Sequence, residues 1–127
     1  MSLVSRWILS AVCFCLALPA AWAGTVTVYT SLDEDEIPSY VAGAKKAMPD
    51  IDLKVLRLST GDLAARIVAE AANPQNDVIW AWALTNMLDP RILALLEPYQ
   101  PAAAKNLAPQ FRAKDGKWFA ITGYMEA

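Results

Sequence analysis

The sequence has no histidine, and its two cysteines, Cys13 and Cys15, both fall within the first fifteen residues. A Ser-His-Asp triad, a Cys-His pair and a His-bearing zinc site therefore cannot be assembled from this chain. An acid-pair hydrolase stays formally open, but carboxylates alone do not identify one. Basic residues are also not in excess: 11 Lys and Arg face 13 Asp and Glu, and the formal net charge is −2. No basic stripe of the kind that tracks a nucleic-acid backbone is present. With 127 residues the chain has room for one domain at most.

What is present begins with a secretory pattern. Arg6 supplies a positive start, Trp7 to Leu18 is an uncharged and mostly apolar run, Pro19 breaks it, and Ala21-Trp22-Ala23 gives small residues flanking a cleavage point. That order is read as a cleaved signal peptide over residues 1–23. The competing reading is a membrane anchor, but a span needs about 20 predominantly apolar residues, and Pro19 interrupts this one. A lipid anchor on Cys13 is disfavoured by Val12, because such signals usually place a small residue there. Removing residues 1–23 takes away both cysteines, so no disulfide is expected in the remainder. It also removes Arg6, which makes the acidic excess larger.

From Gly24 onward the pattern alternates. Thr25 to Thr30 (TVTVYT) is β-branched and aromatic and predicts a strand. Asp33 to Met48 predicts a helix, with Ile37, Tyr40, Val41, Ala44 and Met48 on one face. Pro38 must lie in the first turn, which sets the helix start near Asp35. Ile51 to Leu58 predicts a second strand, Asp62 to Ala72 a second helix with Leu63, Ile67 and Ala71 on one side, and Asp77 to Trp82 a third strand. Short helical pieces interrupted near Pro90 fill Leu84 to Leu96, Lys114 to Lys117 is a turn, and Trp118 to Met125 reads as the start of another strand. Strands alternating with helices imply an α/β fold with a mostly parallel sheet flanked by helices. The chain stops in or just after this last apolar stretch, which gives it the look of a fragment.

In open α/β sheets, ligands bind beyond the carboxyl ends of the strands. Thr30-Ser31-Leu32, Ser59-Thr60-Gly61 and Ala81 to Asn86 are predicted to occupy that edge. Ser59-Thr60-Gly61 joins a strand to a helix, where free backbone N–H groups can receive an anion and two hydroxyls add donors. Ser and Thr also cap helices everywhere, and one junction can do both. The run Asp33-Glu34-Asp35-Glu36 reads as a metal site or as negative charge at a helix start. It lacks the glycine and distant glutamate of a calcium loop, so the second reading is favoured. Trp80, Trp82, Trp118 and Tyr124 read mainly as packing aromatics. One or two could line a pocket and hold an ammonium group through a cation–π contact.

Taken together, TVTVYTSLDEDEIPSYVAGAKKAMPDIDLKVLRLSTGDLAARIVAEAANPQNDVIW, LLEPYQP and WFAITGYMEA resemble the periplasmic solute-binding proteins of ABC transporters, in the ferric-iron and 2-aminoethylphosphonate group. The acidic first loop, LSTGD and GYMEA are closest to the aminoethylphosphonate branch. The resemblance implies two α/β lobes with a ligand between them, a permease and an ATPase as partners, a monomer, no cofactor and no catalysis. Residues 24–127 would then be the first part of the N-terminal lobe. It further implies that phosphonate oxygens meet Thr30, Ser31, Ser59, Thr60 and the Gly61 amide, with Trp80, Ala81 and Tyr124 shaping the cleft. Relatives commonly have glycine and a small residue where Ala81-Trp82 stands, and the stretch around Met87 to Ile92 also departs from their pattern. Iron-binding members often place a histidine in the first loop, where this chain has Ser31 and Leu32. The alternatives are ferric-iron capture, a secreted hydrolase that borrows the lobe, and a truncated fragment with half a cleft that binds nothing.

Overall fold

The computed structural model describes residues 24–120. The expected signal peptide, Tyr124 and most of the expected last strand lie outside them. The element order is β1 (Gly24–Thr30), α1 (Ile37–Ala47), β2 (Ile51–Arg57), α2 (Thr60–Ala69), β3 (Val78–Trp80), α3 (Leu84–Met87) and α4 (Pro90–Leu93), followed by 3₁₀ turns at Ala102–Asn106 and Pro109–Phe111. The three strands form one sheet in the order β2-β1-β3. Both pairings are parallel, as the strand–helix alternation requires.

The central strand pairs with β2 along its whole length, from Gly24–Ile51 to Thr30–Arg57. It pairs with β3 only at its end, from Val28–Val78 to Thr30–Trp80. Asp77 prepares that second pairing: its carboxylate accepts from Thr27 N at 2.8 Å, and its own N–H donates to Thr27 O at 2.9 Å. Burial follows pairing. Gly24 and Thr25 are exposed, whereas Val28, Tyr29 and Thr30 are buried. The core therefore sits beneath the carboxyl ends of the strands.

Alternation across the pleat divides the residues between two layers. The register row Leu56–Tyr29–Ile79 packs against Leu63 and Ile67 of α2 and Ile92 of α4. Leu63 and Ile67 are four residues apart and so share a helix face. The buried Tyr29 hydroxyl donates to Glu70 Oε2 at 2.8 Å and accepts from Arg66 Nε at 3.1 Å, and Arg66 meets Glu70 at 2.8 Å. This three-residue clasp ties α2 to β1 and satisfies a polar group that burial would otherwise penalise. The row Arg57–Thr30–Trp80 points to the opposite face. There Tyr40 of α1 stacks edge-on against Trp80 at 4.8 Å. That layer is thin, since α1 contains no fully buried residue.

Several predicted boundaries shift: α2 ends at Ala69 and not Ala72, β2 ends one residue early and β3 starts one residue late, and three further shifts have a visible cause. α1 starts at Ile37, not near Asp35, because the acidic run forms a turn closed by Glu36 N to Asp33 O at 3.2 Å, and Pro38 sits in the first helical turn. α2 starts at Thr60, two residues early, because Ser59 Oγ caps it by accepting from Asp62 N at 3.2 Å. β3 stops at Trp80 because Ala81 turns the chain with φ of 48°. Past Leu96, Lys117 Nζ donates to Leu93 O at 2.7 Å and anchors the Lys114–Lys117 turn to the end of α4. Gly116, at φ of 76°, lies where a Cβ would come within 3.0 Å of the Gln100 side chain. Of the expected strand from Trp118, the described residues show one antiparallel bridge, Arg112–Phe119.

Leu63 is the test of this core, being fully buried between the sheet and α4. Leu63→Ala should destabilise the full chain by about 2–5 kcal/mol, read from urea unfolding. Leu88→Ala, at a 45% exposed position, should stay within about 0.5 kcal/mol.

Candidate functional site

With β1 between its two partners, the strand-end segments meet at one edge of the sheet. Ser31 follows β1 at the centre, Ser59 follows β2 on one side and Ala81 follows β3 on the other. The contact across this edge is direct on one flank: Ser31 Oγ donates to Ala81 O at 3.1 Å. On the other flank, Leu58 N donates to Thr30 O at 3.0 Å and extends the β1–β2 ladder past its last pair.

The sequence-derived site residues take distinct places. Thr30 has no accessible surface. Its hydroxyl accepts from Leu32 N at 3.1 Å, so it shapes the first loop and offers nothing directly to a solute. Ser31 and Thr60 are half-buried, and Ser59, Gly61 and Ala81 are exposed at the edge. Ser59 is already engaged twice, donating to Asp62 Oδ2 at 2.6 Å and accepting from Asp62 N. This is a helix cap, and it places a carboxylate beside the hydroxyl. The N–H groups of Thr60 and Gly61, first and second in α2, have no partner among the described residues, as the geometry of a helix start dictates. A Cβ at Gly61 would meet open space, so its amide is approachable. Trp80 is the last residue of β3, level with Thr30 at the edge, and its ring lies on the α1 side against Tyr40. Trp82 packs partly into the core and donates from Nε1 to Thr60 O at 3.1 Å. It thereby joins the third loop to the start of α2.

Sequence reasoning missed Arg57. It is the last residue of β2 and exposed, and its Nε donates to Leu32 O at 3.2 Å. The detectable signal was a basic residue closing a strand two positions before Ser59. The four carboxylates of residues 33–36 are all exposed beside this corner. Among the described residues no three carboxylates approach closely enough to hold a metal ion.

A groove of about 300 Å³ lies elsewhere, between α2 and α3–α4, lined by Ala64, Ala65, Val68, Asn86, Asp89, Arg91 and Ile92. Asp89 caps α4 there, accepting from Arg91 N at 2.8 Å and from the Arg91 guanidinium at 3.1 and 2.6 Å. The hydrogen bonds from the Arg91 side chain, and then from its backbone N–H, hold the Asp89 carboxyl below the ordinary carboxylate value. None of the strand-end residues lines this groove.

No family model matches the chain. It is 34% identical over 116 residues, 91% of its length, to a probable ABC transporter periplasmic-binding protein, y4fP, of Sinorhizobium fredii. It spans about a third (32%) of that protein. Among solved structures, the periplasmic binding protein P5PA is similar at a TM-score of 0.61 and 25% identity, over 69% of this chain and 28% of that one. Iron-bound HitA from Pseudomonas aeruginosa is similar at a TM-score of 0.62 and 21% identity, over 78% of this chain and 32% of that one. The fold is thus that of periplasmic binding proteins, as the resemblance implied.

Two outcomes are expected. A carboxyl ¹³C titration should place the Asp89 midpoint below the ordinary value of 3.8, and Arg91→Gln should bring it back up. Because the folded pKa is the lower one, this cap's contribution is present above the unfolded pKa and is lost as pH falls through the folded one. At Ala81, the left-handed backbone favours glycine. Ala81→Gly should be neutral or stabilising by up to about 1 kcal/mol, while the β-branched Ala81→Val should destabilise by about 1–2 kcal/mol, both read from thermal unfolding.

Proposed function

We propose, for a chain related to the periplasmic-binding proteins of ABC transporters, that it forms part of the first lobe of such a protein. In this reading residues 1–23 direct export and are removed, and residues 24–127 act in the periplasm with a permease and an ATPase as partners. A solute is captured and released with no bond made or broken. The observation that supports the reading is the convergence of three strand-end loops on one edge, where Ser31 and Ala81 touch and the Thr60 and Gly61 amides have no partner among the described residues.

The solute we favour is a small zwitterion, an aminoalkylphosphonate such as 2-aminoethylphosphonate. The free amides and the Thr60 hydroxyl supply donors for oxyanion oxygens. Five carboxylates, Asp33 to Glu36 and Asp62, stand along the same edge against one arginine. A doubly negative ligand with no cationic group would be opposed by that charge, whereas an ammonium group is favoured by it. Ser31 and Ser59 would have to turn their hydroxyls from Ala81 and Asp62 to donate to a ligand. Ala81 would shape the cleft, and Trp80 would support it from the α1 side. Tyr124 stays a candidate for the cleft wall on the resemblance alone.

Titration calorimetry of the full-length protein tests this. Saturable binding of 2-aminoethylphosphonate is expected, and Ser59→Ala combined with Thr60→Ala should weaken it by about tenfold or more. Heat-silent titration with that ligand, together with tight binding of ferric citrate, would overturn the choice and favour the ligand class of the iron-bound neighbour. Unchanged affinity in the double variant would remove the Ser59 and Thr60 hydroxyls from the site.

A further inference from the structure

We infer that Arg57 is the charge-recognising group of this edge, forming with the β1 loop an oxyanion subsite for phosphonate, phosphate or carboxylate oxygens. The inference deepens the proposed solute-binding role and rests on it. Three observations carry it.

The first is placement. Arg57 closes β2 directly opposite Thr30, the last residue of β1. Its side chain belongs to the row that faces α1, and its Nε reaches Leu32 O, so the guanidinium stands where the first loop leaves the sheet.

The second is that the side chain is held. Thr30 Oγ1 accepts from Leu32 N at 3.1 Å, and Leu32 O accepts from Arg57 Nε at 3.2 Å. A buried hydroxyl thus holds the N–H of Leu32, and the carbonyl of the same residue receives the guanidinium through Nε. The two terminal nitrogens have no hydrogen-bond partner among the described residues. The bond at Nε leaves both terminal nitrogens as a planar fork for two parallel bonds to an oxyanion.

The third is the absence of pairing where pairing was available. Arg66 bonds Glu70 and Arg91 bonds Asp89 at 2.8 and 2.6 Å. Arg57 lies beside a loop carrying four consecutive acidic residues and forms no ion pair with any of them among the described residues. Its bond to a neutral carbonyl leaves its full charge for a ligand. On an edge otherwise lined with carboxylates, that charge is what makes an oxyanion acceptable, while the carboxylates suit the cationic end of a zwitterion.

The test is calorimetry on the full-length protein with 2-aminoethylphosphonate and, separately, inorganic phosphate, using wild type, Arg57→Gln and Arg57→Lys. Arg57→Gln should lose about tenfold to a hundredfold in affinity with an unchanged melting temperature. Arg57→Lys should recover only part of that loss, because it restores the charge and not the fork. Thr30→Val, similar in size and lacking the hydroxyl, should weaken binding through the loop. Added to Arg57→Gln it should cost nothing further, since both act on one contact. Wild-type affinity in Arg57→Gln, with the parent protein binding normally, would overturn the subsite and leave the transport role standing. Absence of binding of either oxyanion to the wild type would overturn the subsite together with the choice of an oxyanion-bearing solute.

Discussion

The pairing of β1 on both sides is the constraint from which the rest follows. A central parallel strand must send its chain out at the same edge as its two neighbours, so the segments after Thr30, Arg57 and Trp80 emerge together. The same pairing creates the row Leu56–Tyr29–Ile79 on which α2 and α4 pack, and it concentrates burial at the strand ends. A core placed directly under a loop edge gives those loops a rigid floor. Tyr29 joins the two roles, since its ring belongs to the core and its hydroxyl fixes α2 through Arg66 and Glu70.

Above that floor, most hydroxyls are bonded internally. Thr30 holds the first loop, Ser31 bridges to Ala81, and Ser59 caps α2. Among the described residues, the backbone amides at the start of α2, the Thr60 hydroxyl and the terminal nitrogens of Arg57 have no internal partner, and these are the groups the proposed solute would use. The edge is therefore mixed in sign, with a few donors set among carboxylates, and this is the ground on which a zwitterionic solute is proposed. Long-range steering of an anion would be weak in a net-acidic chain, so local donors decide affinity.

Much of this was legible in the residues. The β-branched run before Thr30, the helical spacing of Leu63 and Ile67 and the break at Pro90 gave the strands and helices in order, and strand–helix alternation gave the parallel sheet. The edge segments could be located because ligand edges in α/β sheets follow from topology. The capping of α2 by Ser59 was legible in the Ser-Thr-Gly junction, although the helix was expected to start at Asp62 and starts at Thr60. Two features were not legible. Alanine has no preference for a left-handed backbone, so nothing in Ala81 announces the φ of 48° that ends β3. Arg57 meets a carbonyl 25 positions away, and no local pattern encodes that contact.

Amide chemical-shift mapping of the full-length protein during titration with 2-aminoethylphosphonate tests most directly whether the strand edge is the solute site. The account predicts the largest shifts in this lobe at Ser31, Leu32, Thr60, Gly61 and Ala81, with saturation. Shifts centred instead on Ala64, Asn86 and Asp89, in the groove between α2 and α3–α4, with the strand ends unmoved, would contradict it.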